Sequence, residues 1–94
     1  MVVIAELVAG QGLRGDLAAL ARSFAAECLA QEPGCRQFQV VELETSQDHL
    51  LFFEVYDDAA AFNTHRCSDH LARFKAAFKD LVVGEQPLRL GQLR

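Results

Sequence analysis

The chain has 94 residues, 51% of them apolar and 23% charged, with a formal net charge of −4. This composition describes one small domain, spanning residues 1–94, with one modest core that buries roughly 60–65% of its unfolded surface. Scattered basic residues argue against a nucleic-acid partner, and the apolar opening Met1–Ala5, cut short by Glu6, argues against a leader or membrane span.

Val2 to Ala9 suits a first strand, with Val3, Ala5 and Leu7 on one face and Ile4, Glu6 and Val8 on the other. Gly10, Gly12 and Gly15 punctuate a loop, and Asp16 serves as N-cap or first-turn acid of a helix. Leu17, Leu20, Ala21, Phe24 and Cys28 give that helix its apolar stripe, and Glu32-Pro33-Gly34 ends it. Gln37 to Glu44 reads as a second strand whose change of parity between Val40 and Val41 marks a bulge or burial on both faces. Thr45 to Asp48 is a hairpin turn, and His49 to Tyr56 returns antiparallel with apolar residues on both faces.

Asp57 or Asp58 caps a short helix through Phe62, and Ser68 caps the next. The stripe of this last helix is Leu71, Phe74, Phe78, Leu81 and Val82, with Gly84 at its end. Leu88 to Leu90 after Pro87 form a short edge strand. The order β-α-β-β-α-β is that of an α+β, ferredoxin-like sandwich with a four-stranded antiparallel sheet. Its helices cover one sheet face only, so apolar strands on both faces predict a homodimer packed sheet against sheet.

Glu6 and Glu54 are carboxylates inside apolar strands, where each must be paired or carry a raised pKa. Each reads either as a base or orienting partner of a histidine, or as a structural salt bridge or strand end. His65, closing its short helix, suits proton transfer near neutral pH, and Glu54 within reach would hold its tautomer. His70 lies five residues on, about 140° away on a continuous helix, which argues against a shared metal. Phe24 and Phe62 belong to the core or line a cavity for a flat apolar ligand. Cys28, Cys35 and Cys67 form no C-x-x-C pair and read as free thiols in a reducing cytosol. The Gly10-Gln11-Gly12 stretch is no dinucleotide loop.

Taken in order, Val3-Ile4-Ala5, Glu32-Pro33-Gly34-Cys35, Phe53-Glu54-Val55-Tyr56, Asp58 through His65, and Ser68-Asp69-His70 resemble the pattern of the antibiotic biosynthesis monooxygenase family across nearly the whole chain. The resemblance implies a dimeric α/β barrel that oxidises a quinol or polyphenolic ring with molecular oxygen, using neither metal nor cofactor. It assigns His65, oriented by Glu54, as the base, and Arg73 or Arg66 as the cation that steadies the phenolate. Tyr56, Phe24, Phe62, Asn63, Arg73 and His70 then make up the substrate-binding set. Tyr56 stands where tryptophan is common in the family, and the chain has no tryptophan, which departs from the haem-degrading pattern. Two alternatives stay open: a proton-shuttling isomerase of a small signalling molecule, and a non-catalytic dimeric binding module.

Overall fold

The computed structural model describes all 94 residues. Its elements run β1 (Val2–Ala9), α1 (Arg14–Gln31), β2 (Cys35–Glu42), β3 (His49–Tyr56), α2 (Ala59–Arg66), α3 (Asp69–Phe78), β4 (Val82–Glu85) and β5 (Arg89–Gly91). The sheet is antiparallel, in the order β2-β3-β1-β4, with β5 also paired to β1. This is the ferredoxin-like arrangement: β3 lies between the two strands that α1 connects.

The sheet has five strands rather than four. Val82 leaves the expected helical stripe and joins Val83 in β4, because β-branched residues suit a pleated strand, and the Leu81 carbonyl accepts from the Gly10 N–H at 2.9 Å. Helix α3 therefore stops at Phe78, and Gly84 lies opposite Val8 in β4 instead of ending a helix. The Gln86 N–H still reaches the Glu6 carbonyl at 2.9 Å. Pro87 then has no N–H to offer, so the edge breaks and resumes at β5, opposite Val2 to Ile4. The irregularity expected in the middle of β2 lies at its start, between Cys35 and Gln37.

The alternation of each strand sends Val3, Leu7, Leu50, Phe52, Glu54 and Tyr56 toward the helices. There α1 contributes Leu17, Ala21, Phe24 and Cys28, the stripe expected from its spacing. Phe24 stacks on Phe74 of α3 at 4.3 Å and meets Phe38 of β2 edge-on at 5.4 Å. These contacts tie both long helices to the sheet through one aromatic seam.

Three short-range signals set the geometry of the site. Asp58 caps α2 by accepting from the Ala61 N–H at 2.8 Å. Ser68 caps α3 by accepting from the Leu71 N–H at 3.2 Å. Between them the chain leaves helical geometry at Cys67 and Ser68, so α2 and α3 are separate helices with independent directions. All three cysteines are free thiols, with Cys28 and Cys35 buried and Cys67 exposed. No helix is long and apolar enough to cross a membrane.

Candidate active site

A cavity of about 360 Å³ opens between α3, the end of α2 and the β1–β4 side of the sheet. Its walls are apolar, with Val3, Ala5, Phe24, Phe52, Phe62 and Phe74 prominent among them. Its polar groups fall into two sets. Glu54 and His65 lie buried, and Arg66, Lys75, Glu85 and Gln86 are exposed. An apolar chamber with a few convergent polar groups is the usual form of a small-molecule site.

Glu54 comes from β3, two residues before Tyr56 and therefore on the same face of the strand. The Tyr56 hydroxyl donates to Glu54 Oε1 at 2.6 Å. Glu54 is only 4% exposed, and burial pushes its pKa up to about 7 even though the Tyr56 hydrogen bond pulls the other way. The same burial, with the carboxylate alongside, drives the Tyr56 phenol upward, so Tyr56 stays a neutral donor.

His65 closes α2 and packs against the rings of Phe62, Tyr56 and Phe24. Its Nε2 lies 3.8 Å from Glu54 Oε1 at the cavity wall. Its Nδ1 is held by a different carboxylate, with Glu32 Oε2 at 3.0 Å. A carboxylate only accepts, so Nδ1 carries the proton and Nε2 is the free acceptor. Burial lowers the His65 pKa, opposed by the hydrogen bond to Glu32, so the neutral ring is the favoured form.

Glu32 is the residue that sequence reasoning missed. Its place before Pro33-Gly34 marks a helix stop, yet it continues the buried stripe Leu17, Ala21, Phe24, Cys28 at the next helical step of four. That spacing is the signal that could have found it. As C-cap of α1 it donates its N–H to the Cys28 carbonyl at 2.9 Å and sends its carboxylate inward, 5% exposed. Oε2 takes both His65 Nδ1 and His70 Nε2. Oε1 is buried without a partner.

The structure thus brings His65 and Glu54 together but gives the orientation of the ring to Glu32. It also brings His65 and His70 together. On one continuous helix their rings would lie about 140° apart, but the break at Cys67–Ser68 turns both onto one carboxylate. Phe24 and Phe62 line the cavity. Tyr56, Asn63, Arg73 and His70 do not. Tyr56 is spent on Glu54, and Asn63 is exposed on α2. Arg73 pairs with Glu27 on the solvent side, and His70 faces Glu32. The cation from the expected pair that does reach the cavity is Arg66, 5.7 Å above the Phe62 ring, and Lys75 joins it. Glu6 points away from the helices and pairs with His49 and Arg89.

The family model described as antibiotic biosynthesis monooxygenase matches residues 1–77. Among solved structures, a candidate antibiotic biosynthesis monooxygenase from Deinococcus radiodurans superposes with a TM-score of 0.85 at 25% identity, covering 100% of this chain and 95% of that one. The protein Rv0793 from Mycobacterium tuberculosis gives a TM-score of 0.80 at 27% identity, covering 99% and 94%. A further candidate antibiotic biosynthesis monooxygenase, from Bacteroides thetaiotaomicron, gives 0.85 at 20% identity, covering 100% and 90%, a likeness of fold. No curated protein sequence matches the chain significantly.

Proposed function

The chain belongs to the antibiotic biosynthesis monooxygenase family, and on that premise we propose that it oxidises a quinol or phenolic ring with molecular oxygen in the cavity at His65 and Glu54. The observation that carries this reading is the meeting of an unprotonated imidazole nitrogen and a buried carboxylate on the wall of an otherwise apolar chamber. A flat aromatic ring suits walls of Phe24, Phe52, Phe62 and Phe74.

In the proposed reaction His65 Nε2 takes the phenolic proton, while Glu32 on Nδ1 holds the ring in the tautomer able to accept it. The phenolate passes one electron to dioxygen. The resulting radical pair forms a C–O bond at a ring carbon that bears hydrogen, para to the oxygen in a phenol and ortho to it in a quinol. The peroxide then takes a proton, the ring carbon loses its hydrogen, and the O–O bond breaks to release water. A phenol thus gives a quinone and a quinol a hydroxyquinone, with one oxygen atom of dioxygen in the product and one in water. Arg66 and Lys75 are the cations on the cavity able to steady the anion. Redox work falls on the electron-rich substrate, so the reading asks for no organic cofactor.

The test is oxygen consumption with a panel of reduced quinols and phenols. Turnover by the wild type should fall roughly 10²–10⁴-fold in His65→Ala, with the oligomeric state unchanged. No oxygen uptake across the panel, with and without added flavin or iron, overturns the reading. Conversion of a substrate under strict anaerobiosis selects a proton-shuttling isomerase instead, using the same two groups.

A further inference from the structure

Behind His65, on the side away from the cavity, four donor atoms from three helical segments converge. Cys28 Sγ and Glu32 come from the end of α1, His65 Nδ1 from the last turn of α2 and His70 Nε2 from the first turn of α3, and all lie within 4.8 Å of one another. All four residues are buried.

Hydrogen bonding alone accounts for this cluster poorly. Two imidazole nitrogens crowd one oxygen of Glu32, while its other oxygen, equally buried, takes no donor. A buried carboxylate ordinarily spreads its donors over both oxygens, because each unpaired lone pair costs desolvation energy. The Cys28 thiol lies 3.9 Å from His65 Nδ1, which already spends its proton on Glu32, and has Glu32 as its other polar neighbour. Four ligand-type atoms gathered this closely in a buried pocket, with one carboxylate oxygen left unpaired, also match the donor set of a coordination site.

We propose that Cys28, Glu32, His65 and His70 form a four-coordinate site for a zinc-class divalent cation. Tetrahedral zinc, with bonds of about 2.0–2.3 Å to nitrogen, oxygen and sulfur, sets its ligand atoms about 3.3–3.7 Å apart. Two of the separations straddle that edge, at 3.0 Å between His65 Nδ1 and Glu32 Oε2 and 3.9 Å between Cys28 Sγ and His65 Nδ1. His70 Nε2 lies closer than this to Glu32 Oε2, and the widest pair lies within 4.8 Å, so an ion would need side-chain shifts on the order of 1 Å to reach tetrahedral spacing. One thiolate and one carboxylate balance the dication, so the buried site becomes neutral. Glu32 Oε1 becomes available as a second, longer contact to the ion. The thiolate and the lack of an open position favour zinc over the iron of two-histidine, one-carboxylate oxygenases.

The site also bears on the cavity. Coordination through Nδ1 leaves the proton of His65 on Nε2, which then faces Glu54 Oε1 as a donor. That is the carboxylate–histidine–metal arrangement common to zinc sites. The metal-free ring presents there the acceptor that the proposed oxidation uses and the loaded ring a donor, so a bound ion would suppress that reaction. Binding itself does not depend on the activity proposed above, and it is measured without substrate.

The experiment strips the full chain with a chelator, then titrates it with Co²⁺ and, separately, with Zn²⁺ against a chromogenic competitor. One Co²⁺ per chain should give the intense visible bands of a tetrahedral ion and a near-ultraviolet thiolate-to-cobalt band. Cys28→Ser should remove the thiolate band, and His70→Ala should weaken Zn²⁺ binding by more than the roughly 10–100-fold typical of outer partners. Cys67→Ser, exposed and outside the cluster, should leave binding unchanged. No saturable uptake by the wild type overturns the proposal, as does uptake that Cys28→Ser and His70→Ala leave intact. Stoichiometric binding without tetrahedral bands overturns the assigned coordination.

Discussion

Glu54 is held among apolar side chains with one hydroxyl for company, and burial pushes its pKa from the ordinary 4.5 up to about 7. Between those two values the folded chain binds the proton that the unfolded chain has released. Stability therefore falls as pH rises through this window and is level above it. The penalty above the window is at most about 3 kcal/mol. Glu54→Gln removes the titration, keeps an acceptor for the Tyr56 hydroxyl and offers an amide toward His65. In metal-free protein, denaturant curves of variant and wild type should coincide near pH 4.5 and diverge toward pH 8, with the variant the more stable and any oxygen uptake lost. Parallel pH profiles would remove Glu54 as a buried titrating group. At this scale His65 and Glu54 were legible, because a polar residue stands out against an apolar strand or helix face. Glu32 was not, because Pro33 and Gly34 beside it carry a stronger signal for a helix end than its own position on the stripe.

The Glu-Pro-Gly-Cys segment works as an element rather than as four residues. Glu32 reaches in to the histidines, Pro33 follows the cap, and Cys35 is buried at the start of β2. Gly34 is required by contact and not by backbone conformation. A Cβ placed there would lie 2.5 Å from the Cβ of Ala61 in the first turn of α2. Gly34→Ala must push α2 away or distort the turn, at a cost on the order of 1–3 kcal/mol. For a chain of this size each kcal/mol lowers the melting temperature by roughly 4–8 °C. Because α2 carries His65 at its far end, activity should drop more than stability, and adding Ala61→Gly should recover part of both. An unchanged melting temperature for Gly34→Ala would mean that α2 is not seated on this turn. Element order and caps were readable because Asp58 and Ser68 sit immediately before helical runs. The direction of α3 after its break was not, since no spacing rule describes two helices joined at an angle. The split edge strand escaped for a related reason. Val82 fits a helical stripe as well as a strand, and only pairing with β1 decides between them.

The molecule as a whole leaves one sheet face without helices. Ile4, Glu6 and Val8 of β1 lie beside Phe53, Leu51 and His49 of β3, and Gln39 and Val41 of β2 continue two of those rows. Their side chains point away from the core by the alternation that sends Leu7, Phe52 and Glu54 inward. Most are half-buried by their neighbours, and Val41 is exposed. Its polar groups are Gln39, His49 and Glu6, the carboxylate paired with His49 at 2.5 Å and with Arg89 at 3.2 Å. A flat face rich in aliphatic and aromatic groups, with its one carboxylate neutralised, is suited to a second copy of itself. Two such sheets packed face to face would make the barrel expected for the family. The helix side, and with it the cavity, would remain open. The expected outcome is a dimer in sedimentation at micromolar concentration. Phe53→Glu, set between Ile4 and Gln39 on that face, should give a monomer with unchanged far-ultraviolet circular dichroism, because the substitution touches nothing in the core. The same variant separates assembly from chemistry. The residues of the cavity and of the Cys28–Glu32–His65–His70 cluster all belong to one chain, so metal uptake should persist in the monomer. A wild-type monomer at these concentrations would dispose of the dimer.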